Sequence, residues 1–297
     1  MRVFMTGASG QLGRELMRVF AQEEIYGSRH AQEDITQPQI IATIRDFQPD
    51  VIIHAAAMTD VDACELHPEL AFRVNEQGTR HVAEAARQTD ALLVYVSTDY
   101  VFDGAKGAPY VETDPTRPLN VYGHSKLAGE CAAQEAGRWL IVRTAWLYGA
   151  GSRNFVRSVL EWAKTQSVLK LVDDKVGSPT YVKDLAMAIR HLLDTGIMQG
   201  VFHAAGAGAC TWFEYGQTIL KMAGIQKEVQ PIVFEELHRP APRPMYSALG
   251  NAALAQCSFT MRPWAEALHE FLTSASYRQV SGVNREESGR ATPHHCS

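Results

Sequence analysis

The sequence predicts an α/β fold, a doubly wound parallel sheet with a smaller C-terminal lobe interleaved with it, and three observations carry that prediction. From Arg2 to about residue 150, short runs of β-formers alternate with helical patterns, the arrangement that yields a parallel sheet with helices on both faces. Two of the runs, Ala91–Ser97 and Trp139–Thr144, are continuously apolar, as strands buried on both faces must be. A glycine-rich turn, Gly7 to Gly13, separates the first strand from the first helix.

The elements follow in order. Arg2–Thr6 is the first strand, and Leu12, Leu16, Val19 and Phe20 then recur at helical spacing along one face. Thr36 and Gln39 form an expected capping box, with Pro38 tolerated in the first turn of a helix ending near Pro49. Val51–Ala55 is the next strand, Pro68 to Gln88 a helical stretch, and Tyr122–Ala136 the helix between the two apolar strands. Segments rich in Gly, Pro and aromatics at 173–181, 203–213 and 238–247 predict the loops and small elements of the second lobe.

A chain of 297 residues has room for one large core or a main domain with a smaller one. Its 46% hydrophobic and 21% charged residues are ordinary globular usage, which excludes a disordered or fibrous class. A net charge of -5 gives no reason to bind nucleic acid or an anionic membrane, so any anionic ligand must be held locally. Neither a signal peptide nor a bilayer-spanning run is expected. Five scattered cysteines without ligand spacing suit a reducing compartment, and the expected location is cytoplasmic.

The turn reads Thr6-Gly7-Ala8-Ser9-Gly10-Gln11-Leu12-Gly13. It follows a strand and opens a helix, so Gly7, Ser9, Gly10, Gln11 and Leu12 are candidates to meet a dinucleotide pyrophosphate at the helix N-terminus, in the Rossmann manner. The GxxGxxG spacing departs from GxGxxG, and a glycine turn by itself often only joins strand to helix. The end of the second strand, Tyr26-Gly27-Ser28-Arg29-His30, lacks the acid that holds an NAD ribose. NADPH is therefore expected, with NADH as the alternative. Arg29 has two readings, a 2′-phosphate ligand or a solvated loop cation. Asp34 and Ile35 could flank the adenine, though Asp34 also reads as a helix-start residue. The organisation expected is 1–150 for a dinucleotide-binding domain, 151–272 mainly for an interleaved substrate-binding lobe, and 273–297 for a mobile tail.

Tyr122 and Lys126 stand four apart in a helical pattern, so both project from one face. A carbonyl reductase needs such a pair: the ammonium stabilises tyrosinate and lowers the phenol pKa, so that Tyr122 donates a proton as hydride reaches carbon. The same ammonium can hold the nicotinamide ribose, which makes Tyr122 and Lys126 candidate cofactor-binding residues as well. A lone YxxxK is more often a surface pair, but here Ser97-Thr98 ends a buried strand upstream, at the sheet edge where ligands bind.

Further runs sharpen the reading: Ala55-Ala56-Ala57-Met58-Thr59-Asp60-Val61-Asp62, Ser97-Thr98-Asp99-Tyr100-Val101-Phe102-Asp103-Gly104, Pro118-Leu119-Asn120-Val121-Tyr122-Gly123-His124-Ser125-Lys126, Arg143-Thr144-Ala145-Trp146-Leu147-Tyr148, Gly177-Ser178-Pro179-Thr180 and Arg243-Pro244-Met245-Tyr246-Ser247. With the glycine turn, they make the chain resemble the dTDP-4-dehydrorhamnose reductases of the extended short-chain dehydrogenase/reductase superfamily, over most of the first 272 residues. The resemblance implies a Rossmann fold and reduction of the 4-keto group of a nucleotide-linked deoxysugar. It implies that Tyr122 and Lys126 are catalytic, that Thr98 bonds the reacting oxygen, that Ala55, Ala56 and Ala57 line the cofactor, that Tyr100 and Trp146 line the sugar, and that the Arg243 region closes on the nucleotide-sugar. Trp146 as core packing and Arg243 as a solvated loop residue are the alternatives. Some members bind magnesium through glutamates at a dimer contact, one matching Glu15; no partner set is recognised here, and no essential metal is expected. A homodimer is compatible with this reading. A dehydratase is disfavoured because Tyr100, not glutamate, follows Asp99. The competing class is a noncatalytic NADP-binding regulatory subunit resembling the methionine adenosyltransferase β subunit.

Overall fold

The computed structural model describes residues 1–28, 33–151 and 154–274. The first half of the chain lays down β1 (Arg2–Thr6), α1 (Gln11–Val19), β2 (Glu24–Gly27), α2 (Gln39–Phe47), β3 (Val51–His54), α3 (Val61–Leu66), α4 (Pro68–Phe72), α5 (Gly78–Thr89), β4 (Leu92–Thr98), α6 (Val121–Ala133), β5 (Trp139–Thr144) and β6 (Leu147–Tyr148). The second half adds α7 (Phe155–Thr165), β7 (Val168–Val172), β8 (Val176–Gly177), β9 (Thr180–Tyr181), α8 (Val182–Asp194), β10 (Gln199–His203), β11 (Cys210–Thr211), α9 (Trp212–Met222), β12 (Glu228–Ile232), α10 (Ala252–Gln256) and α11 (Trp264–Thr273). Six strands pair in parallel in the order β10-β5-β4-β3-β1-β2. The chain returns after β7 to β9 to add β10 beside β5, so its later part contributes an edge to the first sheet.

The doubly wound sheet is written residue by residue in its strands. Val3, Met5, Val51, Ile53, Leu92, Val94, Leu140 and Val142 belong to one core, with Leu12 and Leu16 of α1 and Leu185 and Ile189 of α8. The alternate residues Phe4, Ile52, Leu93, Tyr95 and Ile141 belong to the other, with Ile40 and Ile44 of α2 and Val82 and Ala86 of α5. Strand side chains alternate faces, so a run apolar at every position needs helices on both sides to remove it from water.

Three local expectations differ. The capping box at Thr36 and Gln39 does not form: Pro38 occupies the N-cap of α2, without a side-chain cap, and the Thr36 N–H donates to Asp34 Oδ1 at 2.9 Å. Asp34 closes its own turn two residues on, which takes up the donor Thr36 would have organised. The helix read from Pro68 does start there as α4, but a π-helical turn at Arg73–Gln77 divides it from α5, and the separate short helix α3 (Val61–Leu66) before it was not expected. The helix at Tyr122 ends at Ala133, where the chain tightens into a 3₁₀ turn over Gln134–Ala136. Arg29 and the tail beyond Ser274 lie outside the described residues. No helix among the described residues is long and apolar enough to cross a membrane.

Candidate active site

The C-terminal ends of β1, β3, β4 and β5 bring Thr6, His54, Thr98 and Thr144 to one edge of the sheet. In open α/β sheets this edge is where ligands bind. At its β1 side, Gly10 is the N-cap of α1 and, as a glycine, brings no side chain to cap that helix. The first-turn N–H groups therefore face outward with the helix dipole behind them, which suits a pyrophosphate. Gly7 lies against the loop after β3, where a Cβ would stand 2.7 Å from Ala56 N. Ala55 N–H donates to Thr6 O and Ala56 N–H to Thr6 Oγ1, both at 3.3 Å, so the alanine loop is fastened beside the turn. Ile35 is buried, and its carbonyl meets His81 Nδ1 at 2.8 Å.

Gly13 has its own reason to be glycine, because a Cβ there would sit 2.2 Å from Gly7 O. Gly13→Ala should force the turn open, destabilising the fold by about 1–3 kcal/mol and weakening dinucleotide affinity. A denaturation midpoint and cofactor affinity both equal to wild type would show that the turn is looser than this geometry.

Below the turn, a polar network fixes the loop. Thr79 Oγ1 donates to Asn75 O, so it accepts from His54 Nε2–H at 3.0 Å, and His54 Nδ1 accepts from Thr6 Oγ1 at 2.6 Å. Burial, helped by the nearby Lys126 charge, holds the His54 pKa down to about 3, so this imidazole is a neutral strut. Asn75, in the π-turn, bonds Met58 through both its amide atoms and reaches Ser125 Oγ at 2.9 Å. It ties the loop after β3 to α6.

Asn120 begins α6, its side chain accepting from Gly123 N–H at 2.8 Å and donating to Pro242 O at 2.7 Å. Gly123 lets the helix press on the turn after β4, since a Cβ there would stand 2.2 Å from Tyr100 O. Tyr122 therefore faces Thr98 and Tyr100; the two tyrosine rings meet edge to face at 5.7 Å. Lys126 is buried one turn on, Nζ donating to Val96 O at 2.8 Å and lying 4.1 Å over the Tyr95 ring. The expected lowering of the phenol pKa is not found. Burial pushes Tyr122 above the usual tyrosine value, as do the neighbouring Asp99 and Tyr100, while its hydrogen bond to Thr98 opposes them. At neutral pH the phenol keeps its proton, which is the form a proton donor requires.

Thr98 makes two contacts that the sequence did not announce. Its hydroxyl donates to Asp99 Oδ1 at 2.9 Å and accepts from Tyr100 N–H at 3.2 Å, so its one proton is committed to Asp99. Trp146 follows β5 with φ 46, in the left-handed region that a bulky side chain avoids, at a cost of about 1–3 kcal/mol. Its ring stacks on Trp212 at 4.0 Å, and its indole N–H is buried without a partner. Arg243 is mostly buried and donates to Asp62 Oδ1 at 2.5 Å and Ala241 O at 2.6 Å. Burial raises the Asp62 pKa, but the hydrogen bonds from Arg243 and the Ala241 backbone, with the charges of Arg243 and Arg239, together outweigh it and hold the carboxyl below its usual value.

Sequence reasoning missed several groups. Glu130 accepts from Arg143 Nε at 2.9 Å and Nη2 at 2.7 Å, and from Ser97 Oγ at 2.6 Å, all buried beneath the site. Glu130 stands four residues after Lys126, so the helical spacing that paired Tyr122 with Lys126 could have found it. Lys175 is 3% exposed and donates to Tyr100 Oη at 2.6 Å. In sequence it follows Asp173 and Asp174, so it looks like part of a solvated charge run. Glu15 pairs with Arg18 at 3.2 Å, and no group of three or more potential metal ligands occurs among the described residues.

This sheet edge, with an uncapped helix N-terminus, a tyrosine–lysine pair and a strand-end threonine, defines a short-chain dehydrogenase/reductase of the extended type. Residues 1–277 match the family described as RmlD substrate binding domain. The spore coat polysaccharide biosynthesis protein SpsK of Bacillus subtilis is 37% identical over 93% of this chain and 98% of that protein. The dTDP-4-dehydrorhamnose reductase of Mycobacterium tuberculosis H37Rv is 40% identical over 90% of this chain and 91% of that one. A crystal structure of the Bacillus anthracis dTDP-4-dehydrorhamnose reductase in complex with NADP superposes with a TM-score of 0.88, at 38% identity over 91% of this chain and 98% of that one. The chain belongs to the dTDP-4-dehydrorhamnose reductase family.

Proposed function

We propose that this chain is an NADPH-dependent reductase of the 4-keto group of a nucleotide-linked deoxysugar, converting dTDP-4-dehydro-L-rhamnose to dTDP-L-rhamnose. The observation that carries the reading is the placement of Tyr122 and Lys126 on one face of α6, with Lys126 bonded to β4 and Tyr122 packed on the turn that follows Thr98, within a chain whose family is established. The uncapped N-terminus of α1, with Gly7, Ser9, Gly10, Gln11 and Leu12, holds the pyrophosphate, and Ala55 to Ala57 close beside it. When bound, the cofactor supplies the hydride.

The protein's own residues do the rest. Tyr122 holds a proton where negative charge develops on the sugar oxygen, an interaction stronger in the transition state than in the ground state. Lys126 provides the buried positive charge on the same helix face. Tyr100 and Trp146 line the sugar site, and Arg243, braced by Asp62, closes it from the 151–272 lobe. The juxtaposition of Thr98, Tyr122 and Lys126 favours catalysis over a noncatalytic regulatory subunit. Four free cysteines among the described residues agree with work in the cytoplasm.

The test is steady-state oxidation of NADPH and NADH against several nucleotide-linked 4-keto sugars, with product identification. Turnover of a dTDP-linked 4-keto-6-deoxysugar supports the proposal; binding of cofactor without turnover of any sugar, together with copurification of a synthetase, overturns it. Within this assay Arg29→Ala should raise the Michaelis constant for NADPH more than that for NADH, because no acid at the end of β2 opposes a 2′-phosphate. Equal constants for both cofactors before and after the change would remove Arg29 from the site.

A further inference from the structure

A second line of polar groups leads away from Tyr122 through Thr98. Thr98 Oγ1 is bonded to Asp99 Oδ1 at 2.9 Å, and Asp99 Oδ2 accepts from Ser247 Oγ at 2.5 Å. Thr98, Asp99, Ser247 and Lys175 are all buried. The Lys175 ammonium has Tyr100 Oη as its hydrogen-bond acceptor and lies over the rings of Tyr100 at 4.9 Å, Trp146 at 5.9 Å, Trp212 at 5.9 Å and Phe234 at 5.8 Å. A buried ammonium is costly unless compensated, and the opposite charge acting on it is Asp99.

We propose that Thr98 and Asp99 form a proton relay that restores Tyr122 after each reduction, and that Lys175, from the smaller lobe, is the positioning residue that sets the charge state of Asp99. The proposal rests on the reductase reading above. Reduction places hydride on the carbonyl carbon and the Tyr122 proton on its oxygen, so one O–H bond breaks at tyrosine and one forms on the sugar. The Thr98 proton then passes to the tyrosinate oxygen, and the proton of neutral Asp99 passes to Thr98. Asp99 is left as a carboxylate in the field of the Lys175 ammonium, which bonds the adjacent Tyr100, and is reprotonated by water. The direction of the Thr98 bond follows the charge of Asp99. A carboxylate takes the Thr98 proton, whereas a neutral acid gives one and turns Thr98 into a donor toward Tyr122.

The electrostatics agree with this wiring. Burial pushes Asp99 up to about 6, opposed by Ser247, Lys175 and Thr98, and burial holds Lys175 down to about 7, opposed by Asp99 and reinforced by Arg243. The other charged or titratable groups facing this cluster are Tyr100 from the same turn, Tyr122 from α6, and the Arg243–Asp62 pair beyond Tyr100. Reduction consumes a proton, so wild-type kcat should fall as pH rises through the Asp99 transition. Lys175→Met removes a neighbouring positive charge and therefore raises the Asp99 pKa.

The measurement is kcat for keto-sugar reduction as a function of pH in wild type, Lys175→Met, Lys175→Arg and Ser247→Ala, with cofactor affinity as the check on folding. In Lys175→Met the falling limb should move to higher pH by on the order of one unit, with cofactor affinity unchanged. Lys175→Arg should return it close to wild type. Ser247→Ala removes a hydrogen bond to the carboxylate and should move the limb in the same direction, which keeps the test available if Lys175→Met fails to fold. Limbs that coincide with wild type in both Lys175→Met and Ser247→Ala, whatever the loss in kcat, would overturn the relay. A wild-type enzyme that reduces no keto-sugar would overturn the reductase reading instead.

Discussion

Tyr122→Phe should lower kcat for keto-sugar reduction by about 10²–10⁴-fold, the usual contribution of a positioned general acid, while cofactor affinity stays near wild type. The substitution removes one oxygen and leaves the ring, which packs edge to face on Tyr100 at 5.7 Å. That contact lies in the turn after β4 and not on β1 or α1, so the pyrophosphate turn is untouched. Since burial and the adjacent Asp99 keep the phenol protonated, the loss should persist across the neutral range rather than appear only at high pH. Stopped reduction with intact cofactor binding is the expected pair of results; purified, folded Tyr122→Phe with near wild-type kcat would remove Tyr122 as the proton donor.

Lys126→Met should be damaging in two quantities at once. It deletes the buried ammonium and leaves Val96 O without its 2.8 Å donor, so kcat should fall by at least about 10²-fold and NADPH affinity by about tenfold, each factor of ten being about 1.4 kcal/mol. Its pH signature follows from burial, which holds the Lys126 pKa down to about 7. The charged form exists below that value and is lost above it, so cofactor affinity of the free wild-type enzyme should weaken as pH rises through about 7. Binding measured by titration in Lys126→Met should lack that step. A variant that keeps both the step and the affinity would place the cofactor away from Lys126.

Much of this was legible because the informative residues obey local rules. Continuous apolar runs announced β4 and β5, and the four-residue spacing of Tyr122 and Lys126 put both on one helix face whatever the rest of the chain did. The glycine turn carried its meaning through its place between β1 and α1. What escaped depends on long-range contact. Lys175 meets Tyr100 across 75 positions and Ser247 meets Asp99 across 148, separations over which no periodicity speaks. The Thr36 capping box failed because Asp34 competed for the same backbone donor, a contest between two good local motifs. The π-turn at Arg73–Gln77 was hidden because its cause is tertiary: Asn75 is drawn to Met58 and Ser125.

The direction of Thr98 teaches a related point. Family resemblance assigns its hydroxyl to the reacting oxygen, yet the structure commits that proton to Asp99. Both hold if Asp99 changes protonation during turnover, which links the resemblance-based role to the buried chain through Ser247 and Lys175.

In the proposed reaction, NADPH bound to this chain delivers hydride to the 4-keto carbon of a dTDP-linked deoxysugar. The most direct test is reduction with NADPH carrying deuterium at the transferable position of the nicotinamide, followed by mass and NMR analysis of the sugar. The expected result is one deuterium per product, on C4, with one cofactor oxidised for each sugar reduced. Product without deuterium at C4, or a folded, NADPH-binding enzyme that transfers none, would contradict it.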